Sequence, residues 1–140
     1  MGVWDAGCLE TGIGNPGVTT GAGFALLATA RFADGIFIDV ADSCDVQGAI
    51  DVVYVCTGDS VAHQRNIIRL GSSACLTITE HYLSGDESAG LFNNHLAIEL
   101  APRAELGWVR IQREATSAFL LTNMQVQQHA DSKFNYFGMD

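Results

Sequence analysis

Four histidines, His63, His81, His95 and His129, and sixteen acidic residues are the groups through which this chain could hold a metal or move a proton. Neutral imidazole suits iron and zinc. Glu80 and His81 are the candidate metal ligands, being adjacent in a segment that alternates Leu76, Ile78, Glu80, Tyr82. Successive strand side chains point to opposite faces. The pair could therefore chelate one ion only with a third group from a neighbouring strand. His95 falls near the start of a later strand and His129 in a turn, so a structural or solvent-facing role is the expectation for both. Asp39, Asp42, Asp45 and Asp51 cluster in sequence, but Ca²⁺ needs six to eight oxygens. These four fall on different faces and turns, which reads as a solvated acidic surface. No nucleophile elbow or ordered Ser/His/Asp arrangement is present. The Gly-rich stretch before residue 24 follows no strand, unlike a phosphate-cradling loop. Arg65, Arg69, Arg103 and Arg110 could anchor a partner, with solvent exposure as the default. No catalytic residue is assigned.

Cys8, Cys44, Cys56 and Cys75 contain no Cys-x-x-Cys pair, and their spacings of 36, 12 and 19 fit no zinc site. They are expected to behave as small buried hydrophobes.

With 140 residues, 48% of them apolar, one domain with a sizeable core is expected. The net charge of −9 argues against nucleic acid and against anionic lipid as partners. The N-terminus lacks the charged and apolar regions of a secretory signal. No apolar run approaches the length of a membrane span. A cytoplasmic location is the expectation.

The elements that would position these groups repeat. Segments beginning at Ile38, Ile68, Ile98 and Val126 share a branched apolar residue, a one-residue gap, a second long residue and a short turn. Each then has a small residue two places before an apolar one. The small residues Cys44, Ala74, Ala104 and Ser132 are 30, 30 and 28 positions apart. Such a period marks a stacked architecture. The unit is strand–turn–strand, so the fold class is all-β: a right-handed parallel β-helix, the hexapeptide period of left-handed solenoids being absent. Strands are expected at 36–40, 50–56, 66–70, 75–82, 95–100, 104–112, 119–127 and 132–138, with a loop over 83–94. Residues 24–33 are rich in Ala and Leu, with Phe24, Leu27 and Arg31 at i, i+3, i+7. They predict one short helix that ends at Gly35 in a left-handed conformation and covers an open end of the stack. Residues 1–23 hold seven glycines and Pro16 and read as a loosely held lead-in; residues 24–140 form the core. The last expected strand carries Tyr136 and Phe137 and would be a sticky edge, open to self-association through the ends of the stack.

The stretch from Gly23 through Phe24-Ala25-Leu26-Leu27 and Asp34-Gly35-Ile36 to Val40 resembles the entry to the β-helix core of the SufB/SufD family of iron–sulfur cluster assembly proteins. Further stretches match in order: Arg65 to Ile68 through Leu76 to Tyr82; Asn94 to Leu100 through Ala104 to Leu106; and Val109 to Gln112 with Asp131-Ser132. The resemblance covers residues 23–140. In SufB-like members the segment matching Glu80-His81-Tyr82 tends to read Glu-Gly-Cys, and that cysteine is thought to handle the nascent cluster. Tyr82 takes its place here, which resembles the SufD branch. The resemblance implies a non-enzymatic scaffold, with SufB-like and SufC-like proteins as partners and SufC supplying ATP hydrolysis. Iron or an iron–sulfur cluster is implied only for the full complex, not as a cofactor of this stretch. It also implies a partial chain, the β-helix core of a longer protein whose SufC-binding part lies elsewhere. Competing readings are a carbohydrate-active β-helix enzyme such as a polysaccharide lyase, and a solenoid interaction module. The single lysine, Lys133, and the lack of a clustered Asp/Lys/Arg groove speak against the lyase.

Overall fold

The structure, a computed structural model, describes residues 23–85 and 89–139. Of the Gly-rich lead-in expected over 1–23, residues 1–22, with Cys8, lie outside the described residues, and Gly23 opens the helix. One helix, α1 (Gly23–Arg31), is followed by eight strands: β1 (Phe37–Val40), β2 (Asp45–Cys56), β3 (Val61–Leu70), β4 (Cys75–Ser84), β5 (Leu91–Leu100), β6 (Glu105–Arg113), β7 (Phe119–Gln128) and β8 (Lys133–Met139). Odd strands form one sheet in the order β1-β3-β5-β7 and even strands another, β2-β4-β6-β8. Every pairing is parallel. The chain is thus a β-solenoid of about four turns. No described helix is long and apolar enough to cross a membrane.

The corner behind the thirty-residue spacing is a four-residue turn. Cys44 N donates to Ala41 O (3.3 Å), Ala74 N to Gly71 O (3.1 Å), Ala104 N to Ala101 O (3.1 Å) and Ser132 N to His129 O (3.1 Å). The third residue of each turn is left-handed: Ser43 (φ 58°), Ser73 (φ 59°), Arg103 (φ 61°) and Asp131 (φ 60°). None is glycine, and the conformation costs roughly 1–2 kcal/mol for an L-residue. Bonds between turns of the stack offset this, including Ser43 N to Ser72 O (2.8 Å), Ser73 N to Pro102 O (3.0 Å) and Arg103 N to Ala130 O (2.9 Å). Packing at the corner is close. A Cβ on Gly71 would collide with Asp42, whose Oδ1 accepts from Ser72 N (2.7 Å). Ala74 and Ala104, the small residues of the repeat, are fully buried.

The opposite corner is irregular. Its connections run over 57–60, 85–90 and 114–118, lengths of four, six and five residues. Strand β2 also carries a bulge between Asp45 and Ala49, at Gly48 (φ 82°), where the absence of a Cβ permits the left-handed backbone.

Inward residues alternate along each strand and form the core. Ile68, Leu76, Ile78, Leu96, Ile98 and Leu106 are essentially inaccessible. A second cluster joins Tyr54, Cys56, Tyr82 and Phe92. Tyr54 and Tyr82 stack at 4.9 Å, and Phe92 meets Tyr82 edge-on at 5.3 Å.

Helix α1 differs from its expected placement. It lies across the outer face of the odd sheet, against β3, β5 and β7, and not over an open end. Its buried face is Ala25 and Ala28, small enough for close approach to a sheet. Asn93 Nδ2 on β5 donates to Phe24 O (2.9 Å) and pins the first turn. Gly35 is not left-handed. It is glycine because a Cβ there would collide with the Arg65 carbonyl oxygen. Strands β3 and β5 begin at Val61 and Leu91, five and four residues earlier than the apolar pattern suggests, because their leading inward positions, Gln64 and Asn94, are polar yet buried.

Candidate functional site

The interior holds a run of polar groups that the apolar count hides. Glu80, midway along β4, is fully buried. Its Oε2 accepts from Arg110 Nε on β6 (2.7 Å) and from Trp108 Nε1 (3.1 Å). Its Oε1 accepts from the Tyr82 hydroxyl (2.9 Å) and from Asn94 Nδ2 (3.4 Å). Asn94 Nδ2 also donates to Tyr82 Oη (2.6 Å), while Asn94 Oδ1 accepts from Asn66 Nδ2 (2.8 Å). Asn66 Nδ2 reaches Tyr54 Oη (2.7 Å), and Asn66 Oδ1 accepts from Ile36 N (3.0 Å). The chain of contacts runs from the backbone ahead of β1 to β6, through three turns of the stack.

Its positions follow from register. Glu80 pairs with Arg110 and Tyr54 with Tyr82, so like positions on successive turns place donors above acceptors. Asn66 and Asn94 enter from the facing sheet. A buried carboxylate without partners would carry a large desolvation cost; four donors, one of them the ion-paired Arg110, offset it.

The electrostatics agree. Burial alone would lower the pKa of the Arg110 guanidinium, but Glu80 beside it, helped by Tyr82, carries it above its ordinary value. The guanidinium lies 5.6 Å from the Tyr82 ring centroid and 5.7 Å from that of Tyr136, within cation–π range. Burial, then the Glu80 charge, raises the pKa of both Tyr54 and Tyr82 well beyond the usual phenol range. Both stay protonated, and the Tyr82 hydroxyl remains a donor.

The structure separates Glu80 from His81. Glu80 points inward and its oxygens are saturated by protein donors. His81 points outward, where its Nε2 lies 3.6 Å from Asp51 Oδ1. No group of three or more His, Cys, Asp or Glu side chains able to hold a metal occurs among the described residues. His95, expected near a strand's start, sits midway along β5 and is buried. Its pKa is lowered by burial and then by Arg65. His129 lies 3.8 Å from Glu99. The aspartates do not converge: Asp42 caps Ser72 N, Asp45 accepts from Gln47 Nε2 and Asp51 faces His81. Arg110, expected in solvent, is the buried ion-pair partner of Glu80. Arg103 is exposed and donates to Ser73 Oγ (3.1 Å), whereas Arg69 is 3.9 Å from Glu99.

Sequence reading missed Asn66, Asn94 and Trp108, and it singled out Arg110 but placed it in solvent. The available signal was parity: Glu80 falls in the same alternating set as Leu76, Ile78 and Tyr82, so it had to face inward and required a partner one turn away.

No curated protein and no solved structure matches this chain. Residues 53–140 match the family described as SUF system FeS cluster assembly, SufBD core domain. That span contains β3 to β8 in full and every side chain of the interior network, from Tyr54 to Arg110. By that match, and with the parallel solenoid it accompanies, the chain belongs to the SufBD core domain family of the SUF iron–sulfur cluster assembly system.

Proposed function

We propose that this chain is a SufD-like, non-enzymatic scaffold component of iron–sulfur cluster assembly that pairs with a SufB-like protein, in a complex whose ATP hydrolysis is supplied by a SufC-like ATPase. Residues 24–140 are the β-helix core of that component, and the complex works in the cytoplasm. The observation that carries the reading is the environment of Tyr82. The resemblance implies a cluster-handling cysteine at this position in SufB-like members. Here the position is fully buried, and its hydroxyl is committed to Asn94 and Glu80. A phenol locked in a core network has neither the thiolate nor the access that sulfur transfer requires. The side chain supports the wall of the solenoid instead, which suits a scaffold.

The test is anaerobic co-purification. The chain, in its full-length parent where one exists, is co-expressed with SufB-like and SufC-like proteins from the same source. A stable ternary complex that carries iron and sulfide is the expected result. Absence of any complex, or cluster assembly that proceeds equally well without the chain, sinks the proposal.

A further inference from the structure

Helix α1 buries only its alanine face. The stripe Phe24, Leu27 and Arg31, spaced as one helical face, is left open beside the sheet, where it forms a groove with Val61, His63 and Leu91. Phe24 is 56% exposed and Val61 57%. Val61 pairs with Leu91 and Leu91 with Phe119, itself 67% exposed, so the apolar surface continues along three strands. The groove has a volume of about 570 Å³, inside the roughly 300–1,000 Å³ range of ligand sites.

The side-chain polar groups left unpaired in it, on Arg31 and His63, are donors. Arg31 has no acidic partner among the described residues. Asn93 Nδ2 lies 3.1 Å from His63 Nδ1 and also donates to Phe24 O. An amide nitrogen can only donate, so His63 Nδ1 accepts and its proton resides on Nε2. The groove therefore combines apolar walls with a guanidinium and an imidazole N–H, in a chain whose net charge is −9.

We propose that this groove docks an extended peptide segment of a partner protein in which an aliphatic or aromatic side chain is followed closely by a carboxylate. The apolar side chain lies between Phe24, Leu27 and Val61, and the carboxylate accepts from Arg31 and His63 Nε2. Charge-assisted bonds of this kind are the strong ones in polar recognition, and apolar anchors supply most of the binding energy of such sites.

The experiment pans a displayed heptapeptide library on the full 140-residue chain and measures the enriched peptides by fluorescence polarisation. Enrichment of an apolar residue next to Asp or Glu is expected. Arg31→Glu and Val61→Asp, both at exposed positions, should each weaken binding by about tenfold or more, with circular dichroism unchanged. Arg103→Glu, an exposed position at the regular corner and so at the opposite end of the odd strands, should leave it unaltered. Replacing the peptide carboxylate by its amide should weaken binding as much as Arg31→Glu. No enriched sequence, a consensus without acid, or equal binding to all variants overturns the proposal. Binding that appears only after removal of residues 1–22 also overturns it, by assigning the groove to the chain's own N-terminal segment.

Discussion

Arg110 Nε lies 2.7 Å from Glu80 Oε2, thirty residues earlier and one turn down the stack, with both side chains sealed inside the solenoid. The ion pair joins β4 to β6 through the core, in addition to the backbone ladder. Breaking a buried pair from one side leaves an uncompensated charge and costs about 3–5 kcal/mol. Arg110→Met is expected to lose that much stability in urea unfolding. The double variant Glu80→Leu with Arg110→Met should recover most of it, because apolar groups of similar volume replace the pair. A loss below about 1 kcal/mol for Arg110→Met would contradict the geometry.

The four corners predict a gain. Ser43 is left-handed, and its side chain forms no hydrogen bond among the described residues. Ser43→Gly removes the steric cost at the expense of some unfolded-state entropy, a net stabilisation of about 0.5–1 kcal/mol. Ser43→Val should destabilise by more than about 1 kcal/mol, since a β-branched residue tolerates the conformation worst. Chemical denaturation midpoints of the two variants, moving in opposite directions, are the check.

Stability should fall on mild acidification. His95 is buried, and burial and then Arg65 depress its pKa below the usual imidazole value. The unfolded chain takes up a proton near pH 6.5, whereas the folded one resists. The unfolded state thus binds more protons as pH drops below about 6.5, and stability declines; above that value it is fully present. Denaturation at a series of pH values should show this slope, and His95→Gln should flatten it. An unchanged slope in that variant would exclude His95 as its source.

Alkaline conditions should produce the complementary effect. Tyr54 and Tyr82 ionise only well above the ordinary phenol range, so the unfolded chain loses those protons first, near pH 10. Stability should decline above that pH. Phenolate absorbance from these two rings should rise together with the loss of far-ultraviolet dichroism, not before it.

The stacked architecture was legible because the corner repeats in the residues themselves: Cys44, Ala74, Ala104 and Ser132 mark turns that the structure places one above another. The ends of the strands were not. Gln64 and Asn94 face inward but are polar, and a reading based on apolar alternation stops short of them. The burial of Asn66 and Asn94 depends on partners 12 to 30 residues away, which no local pattern reports. Helix placement failed for a related reason. The stripe Phe24, Leu27 and Arg31 is the conspicuous one in the sequence, yet Ala25 and Ala28 make the close contact because the sheet face accepts small residues.

The two corners of the solenoid divide labour in a way that bears on how such a chain can change. One keeps four residues and a left-handed third position on every turn; the other varies from four to six residues and absorbs the bulge of β2 and the shortening of the last turn. The first works as a spine and the second as a margin. Foreign segments grafted at 57–60 or 114–118 should be carried without disturbing the stack, whereas a single added residue at 71–74 would throw every later strand out of step.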